Sequence, residues 1–281
     1  MALRLPALLG LTSLAMLAFA GNSLLCRAAL GEGHIDAASF TVIRLLSGAA
    51  VLWLLVRAHY DAESGNGSWP SALALFVYAA GFSFAYISLE TGMGALLLFG
   101  AVQATMIGYG LVKGERFTAL QVLGLMLALG GLVGLLMPGL SAPPLQGALL
   151  MLAAGIAWGI YSLRGRGSGH PTRVTAGNFL RAAPLSLPLL LLGGPGADIS
   201  MQGVFYAVAS GGLASGLGYA IWYWVLPAWK ASAAASIQLS VPVIAALGGV
   251  LWLDEMLTLR LVLASMAILG GIALVIYQKR V

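Results

Sequence analysis

Slid by 140 residues, this sequence matches itself. Gly108–Gly131 falls on Gly248–Gly271, and ten of the 24 paired positions are identical: Gly108, Leu111, Glu115, Thr118, Val122, Leu123, Met126, Leu129, Gly130 and Gly131. A Leu/Gly/Ala-rich composition gives roughly two or three identities by chance. Further upstream the offset drifts, and Arg44 lines up with Arg181 at a spacing of 137. Each copy holds five apolar runs. An odd number of spans forces the second copy to enter a bilayer upside down, and inverted repeats of this kind build the midplane site of many secondary transporters. The expected fold is an all-α integral membrane protein, with ten transmembrane helices arranged as two inverted five-helix repeats, residues 1–138 and 139–281.

Composition agrees with a membrane solvent. The chain is 60% hydrophobic and 8% charged, with mean hydropathy +0.96, a balance foreign to soluble domains of this length. A helix needs about 20 apolar residues to cross a hydrocarbon core. The expected spans are 7–29, 37–56, 70–89, 92–112, 118–137, 145–163, 174–193, 202–226, 231–253 and 259–277. Between them lie turn-forming stretches: Asp61–Pro70, Pro138-Gly139, Pro143-Pro144, Gly165–Pro171 and Gly193–Gly196.

Basic residues tend to stay on the cytoplasmic side. With the N-terminus inside, the inner loops and termini carry Arg4, Arg57, Lys113, Arg116, Arg164, Arg166, Arg173, Lys230, Lys279 and Arg280, whereas the outer loops carry Arg27 and Arg260. Both termini are therefore expected in the cytoplasm. The same asymmetry accounts for the net charge of +5 without a nucleic-acid partner. Arg4, an apolar run and Ala18-Phe19-Ala20 imitate a secretion signal. Retention is expected, because residues 19–27 have a counterpart around Ala157-Trp158-Gly159 in the second copy. The single Cys26 excludes an internal disulfide.

Aromatic residues cluster deep in the spans. Tyr78, Phe82 and Tyr86 share one helical face at i, i+4 and i+8, and Ser215, Tyr219, Trp222 and Leu226 share a face in the matching span of the second copy. Trp158 and Tyr161 come from the sixth span, Phe99 and Gln103 from the fourth, Asn22 from the first and Gln238 from the ninth. Rings with polar tips can sandwich an aromatic body and hydrogen-bond its polar end, and ring faces attract an ammonium. Asn22, Tyr78, Phe82, Tyr86, Phe99, Gln103, Trp158, Tyr161, Tyr219, Trp222 and Gln238 are thus the candidate substrate-binding residues. Trp53, Trp69, Tyr223, Trp224, Trp229 and Tyr277, nearer the span ends, read as interfacial belt.

Charge is placed as tellingly. All nine acids and all three histidines fall in loops or at span ends, so no buried proton relay is expected. Arg44 and Arg181 lie inside spans at equivalent positions. They either grip an anionic substrate or pair with acids at nearby helix ends. Pairing is the preferred expectation, Arg44 with Glu255 and Arg181 with Glu115, since a lone intramembrane arginine is costly. Pro242 is the expected hinge of the ninth span. Gly124, Ala128 and Gly131 form a small-residue stripe, and Gly130/Gly134 and Gly212/Gly216 read as GxxxG, suited to close helix packing. No metal cluster, HExxH or rhomboid-type Gly-x-Ser-Gly is present, which argues against an intramembrane enzyme. No cofactor is expected.

Gly21-Asn22, Trp158, the Arg44/Arg181 pair, Pro242, Glu115/Thr118 with Glu255/Thr258, and Gly130-Gly131 with Gly270-Gly271 together resemble the drug/metabolite transporter superfamily, in its ten-helix EamA-type branch. Two positions depart from that pattern: Ala20 stands where the family often has Trp, and Val102 replaces a proline expected opposite Pro242. Within the superfamily the chain is most similar to YddG-type exporters of aromatic amino acids. The resemblance implies a multi-pass protein of a bacterial inner membrane, monomeric or weakly dimeric. Its partners would be the lipid bilayer and a small substrate, a zwitterionic or neutral metabolite such as a large neutral amino acid, exported by alternating access. Export of other metabolites, including anions held by Arg44 and Arg181, or passive conduction, are the alternatives.

Overall fold

Backbone N–H and C=O groups in hydrocarbon must be satisfied within their own segment, so long apolar runs become helices. The computed structural model describes residues 4–58, 65–114, 116–139, 142–165, 170–192, 199–229, 234 and 237–277, and these contain helices and no strand. In chain order they are α1 Leu5–Gly31, α2 Ala37–Ala58, α3 Trp69–Ala85, α4 Thr91–Val112 and α5 Ala119–Leu136. Then follow α6 Leu145–Arg164, α7 Pro171–Ser186, α8 Met201–Ala228, α9 Ser240–Trp252 and α10 Leu259–Tyr277. Eight of these segments are long and apolar enough to cross a membrane, counting α7 with the 3-10 turn Leu187–Leu192 that extends it; α3 and α9 are shorter apolar helices.

The ends follow local chemistry. Thr118 and Gln121 form a reciprocal capping box at α5, satisfying two donors that the first turn leaves free. Ser68 accepts from Ser71 N–H at α3, Ser200 from Gly203 N–H at α8, and Asp36 from Ser39 N–H at α2. Pro70 and Pro171 sit in first turns, where a missing N–H costs nothing.

Two elements differ from expectation. The ninth span was expected from residue 231; residues 234, 237 and 238 are helical, a turn at Leu239 precedes α9 at Ser240, and residues 230–233 and 235–236 lie outside the described set. Pro242 falls in the first turn of α9, just after that turn, and offers no N–H to the carbonyl of Gln238 four residues before it. A second irregular stretch lies in α8. That rod is α-helical over Met201–Val208, π-helical over Ala209–Leu217, and α-helical again over Gly218–Val225. Long π segments are rare and concentrate at functional sites.

Glycine sets how near the helices come. α5 lies along α10, with Gly124 against Gly271 and Gly131 against Ala267 and Ile268. The stripe of Gly124, Ala128 and Gly131 is thus an internal seam. Gly130 and Gly134 have open space where a Cβ would point, so that GxxxG packs no helix of this chain, whereas Gly212 and Gly216 rest on Val51 of α2. α6 packs on both α3 and α4, α1 on α8 and α9, α2 on α7 and α8, and α4 on α9. At Gly211 of α8 a Cβ would collide with the carbonyl oxygen of Arg44. Only glycine permits that approach, which brings α8 directly onto the arginine.

Candidate central site

Helices α3 and α8 close on Arg44 of α2. Its side chain is 1% exposed. Nη2 donates to the Tyr78 hydroxyl at 3.0 Å and Nε to Ser215 Oγ at 3.4 Å. The guanidinium carbon stands 4.8 Å from the Phe82 ring centroid and 5.1 Å from that of Tyr78, a cation–π arrangement strengthened by exclusion of water. Nη1 is buried and has no hydrogen-bond partner among the described residues.

The α3 face predicted from the i, i+4 spacing forms, with Tyr78 and Phe82 centroids 5.5 Å apart and Phe82 and Tyr86 4.8 Å apart. Trp158 of α6 bridges to the other half of the chain, 4.7 Å from Tyr78, 4.9 Å from Tyr219 and 5.3 Å from Tyr161. Tyr219 and Trp222 also meet Phe19 of α1, and Tyr219 meets Phe179 of α7. Asn22 ties the polar tips together: Nδ2 donates to the Tyr78 hydroxyl at 3.3 Å and Oδ1 accepts from Ser210 Oγ at 2.6 Å. The Tyr219 hydroxyl lies 3.5 Å from that of Tyr78. The result is a buried knot of rings around hydroxyls, side-chain amides and one guanidinium.

Of the residues expected to bind substrate, Asn22, Tyr78, Phe82, Trp158, Tyr161, Tyr219 and Trp222 come together. Tyr86 touches the knot through Phe82, but its hydroxyl donates to Thr91 C=O at 3.2 Å, where α4 begins. Phe99 and Gln103 are buried on α4, and Gln238 is half-buried ahead of α9; no ring contact or hydrogen bond among the described residues joins them to the knot. Phe19, Phe179, Ser210 and Asn178, whose Nδ2 donates to the Tyr161 hydroxyl at 3.3 Å, were not foreseen. Asn178 and Phe179 lie within one turn of Arg181, and Ser210 opens the glycine-rich stretch that becomes π-helical. Those two neighbourhoods were the available signals.

The expected pair of Arg44 with Glu255 does not form, and Glu255 pairs with Arg27. Glu255 accepts from Thr91 N–H at 2.9 Å and Thr91 Oγ1 at 3.0 Å, and faces Arg27 Nε at 3.4 Å. Arg27 Nη1 also donates to the carbonyls of Tyr86 and Ile87, each at 3.2 Å. A carboxylate at the α4 N-terminus suits the helix dipole, so Glu255 belongs to this clasp and not to Arg44. Burial, then repulsion from Glu255, raises the pKa of the neighbouring Glu90, with Arg27 opposing. Arg181 donates to the carbonyls of Asn66 and Gly177 and lies 6.0 Å from the Trp69 ring; Glu115 is outside the described residues. Trp53, Trp69 and Trp224 are exposed, as belt residues should be, whereas Tyr223 and Trp229 are half-buried against the core, with Trp229 Nε1 donating to Thr12 Oγ1 at 3.0 Å; the Tyr277 side chain lies outside the described set.

Comparison with known proteins agrees with this architecture. The model of the EamA-like transporter family matches residues 145–277. The chain is 58% identical over 270 residues to the uncharacterized protein PA1977 of Pseudomonas aeruginosa, covering 96% of this chain and 94% of that one. It is 28% identical over 258 residues to the uncharacterized transporter YoaV of Bacillus subtilis, covering 86% and 88%. An uncharacterized transporter of Archaeoglobus fulgidus is 27% identical over 218 residues, covering 74% and 77%. A solved crystal structure with 22% identity superposes with a TM-score of 0.66 over 95% of this chain and 98% of the other, which places the fold. With its apolar helices and these relatives, the chain belongs to the EamA-like transporter family of multi-pass membrane proteins.

Proposed function

We propose that this chain is a secondary transporter that exports small amphiphilic metabolites, with aromatic and other large neutral amino acids as its class, by alternating access around the Arg44 knot. The observation that carries the reading is Trp158 held between Tyr78 and Tyr219 at 4.7 and 4.9 Å, next to Asn22. The rings come from both halves of the chain, so parting the halves exchanges ring–ring contacts for ring–substrate contacts. A site shared by two moving bodies is what alternating access requires.

Ten crossings as two inverted repeats, residues 1–138 and 139–281, complete the reading. The packing supports it: α2 with α7, α4 with α9 and α5 with α10 are equivalent helices meeting each other, while α3 on α6 is matched by α8 on α1, and α4 on α6 by α9 on α1. We assign the protein to a bacterial inner membrane with both termini cytoplasmic, on the lysine and arginine asymmetry of the loops.

The test is counterflow. Purified protein in liposomes preloaded with unlabelled phenylalanine should transiently concentrate labelled phenylalanine, and excess leucine should compete. Labelled substrate that merely equilibrates, without overshoot or saturation, would mean a passive pore.

A further inference from the structure

We infer that Arg44 is the anchor for a substrate carboxylate, and that a carboxylate, not an ammonium, is the group a substrate must carry. This rests on reading the ring knot as the transport site, and it narrows what that site accepts.

The inference comes from counting donors. A guanidinium has five N–H groups and does not deprotonate in proteins. Arg44 directs Nε–H at Ser215 and one Nη2–H at Tyr78, leaving Nη1 buried with no acceptor among the described residues. A desolvated cation with unmet donors is costly, and it usually has a carboxylate beside it. Among the described residues none lies within ion-pair distance: Glu32, Asp36, Glu90, Asp254 and Glu255 all sit at helix ends or in loops, and Glu255 is held by Arg27 and Thr91.

The neighbours repeat the pattern. The Tyr78 oxygen accepts from Arg44 Nη2 and Asn22 Nδ2, which fill its two lone pairs. Of the Tyr78 and Tyr219 hydroxyls, 3.5 Å apart, one donates to the other, and the second keeps a proton to give. The Asn22 carbonyl, the acceptor that an ammonium would need, is taken by Ser210 at 2.6 Å. Free donors thus outnumber free acceptors around Arg44. A group that only accepts, planar and singly negative, matches a guanidinium edge in bidentate fashion. An ammonium, which only donates, meets a cation and spent acceptors. Phe82, Trp158 and Tyr219 then supply apolar faces for the rest of the substrate.

The experiment uses the full-length protein in detergent, with thermal stability as the binding readout, and three ligands that share a phenethyl body: phenylalanine, 3-phenylpropionate and phenethylamine. The expected result is stabilisation by the first two and none by the third. Arg44→Gln should weaken binding of both carboxylates by about ten- to a hundredfold, the scale of a lost charged hydrogen bond. Arg44→Lys, which keeps the charge but not the planar fork, should fall between. If the variants do not fold, the wild-type ligand series decides alone. Stabilisation by phenylpropionate but not phenylalanine would support the anchor and remove amino acids from the proposed class. Equal stabilisation by phenethylamine and phenylpropionate would overturn the anchor and leave the transport reading standing. No stabilisation by any of the three would overturn both.

Discussion

Replacing Trp158 by alanine separates a ring that binds substrate from a ring that only packs. Trp158 touches three other rings, at 4.7, 4.9 and 5.3 Å. Each such pair is worth about 0.5–1.5 kcal/mol beyond buried area, so the folded protein loses roughly 1.5–4.5 kcal/mol from ring contacts alone, a cost that falls on every substrate equally. A bound aromatic substrate loses one further ring contact, again about 0.5–1.5 kcal/mol, or about a two- to tenfold weakening. The measurable quantity is consequently a ratio. Counterflow of phenylalanine and of alanine should be compared in wild type, Trp158→Ala and Trp158→Phe, at a temperature where all three remain folded. In Trp158→Ala the phenylalanine-to-alanine ratio should fall two- to tenfold, and in Trp158→Phe it should recover most of that loss. Phe82→Ala should shift the ratio in the same direction. If both substrates decline in parallel at normal protein levels, the ring serves the fold and not the substrate.

Three further outcomes follow from the structure. Glu255→Gln and Arg27→Ala should each lower the melting temperature, and their double mutant should fall short of additivity by about 0.5–1 kcal/mol, the value of a partly exposed pair; strict additivity would mean Thr91 alone holds Glu255. Glu90 has a folded pKa above its unfolded value, so protonation favours the folded state: stability is gained as pH falls through the raised value, and the gain is complete below the unfolded value. Glu90→Gln should therefore be more stable than wild type at neutral pH, with a margin that shrinks on acidification, and a margin independent of pH would refute the assignment. Finally, epitope tags placed on residues 1 and 281 should both be shielded from external antibody in intact cells; surface staining of either would reverse the proposed orientation.

Much of the scaffold was legible in the chain itself. Hydropathy is a local sum over about 20 residues, and it placed the ten apolar segments within a few residues, though not the turn at Leu239 inside the ninth. Helix capping is equally local, so Thr118 with Gln121 and Pro at first turns could be read directly. The i, i+4 spacing put Tyr78, Phe82 and Tyr86 on one face before any helix had a neighbour.

Partner choice belongs to the tertiary structure. Depth along a helix can be estimated by counting, but which way a side chain faces depends on which helices pack beside it. Arg44 and Glu255 were expected to pair, yet Arg27 and Thr91 hold Glu255, while Arg44 faces Tyr78 and Ser215. The close approach of α8 at Gly211 and its π-helical turn decide that outcome. No hydropathy pattern carries them, because a change from 3.6 residues per turn is stabilised by contacts across helices and not by composition. The sequence by itself determined how many apolar helices there are and where most of them end. The folded chain alone decided which polar groups meet between them, since that depends on helix rotation and contact, which side chains far apart in sequence set together.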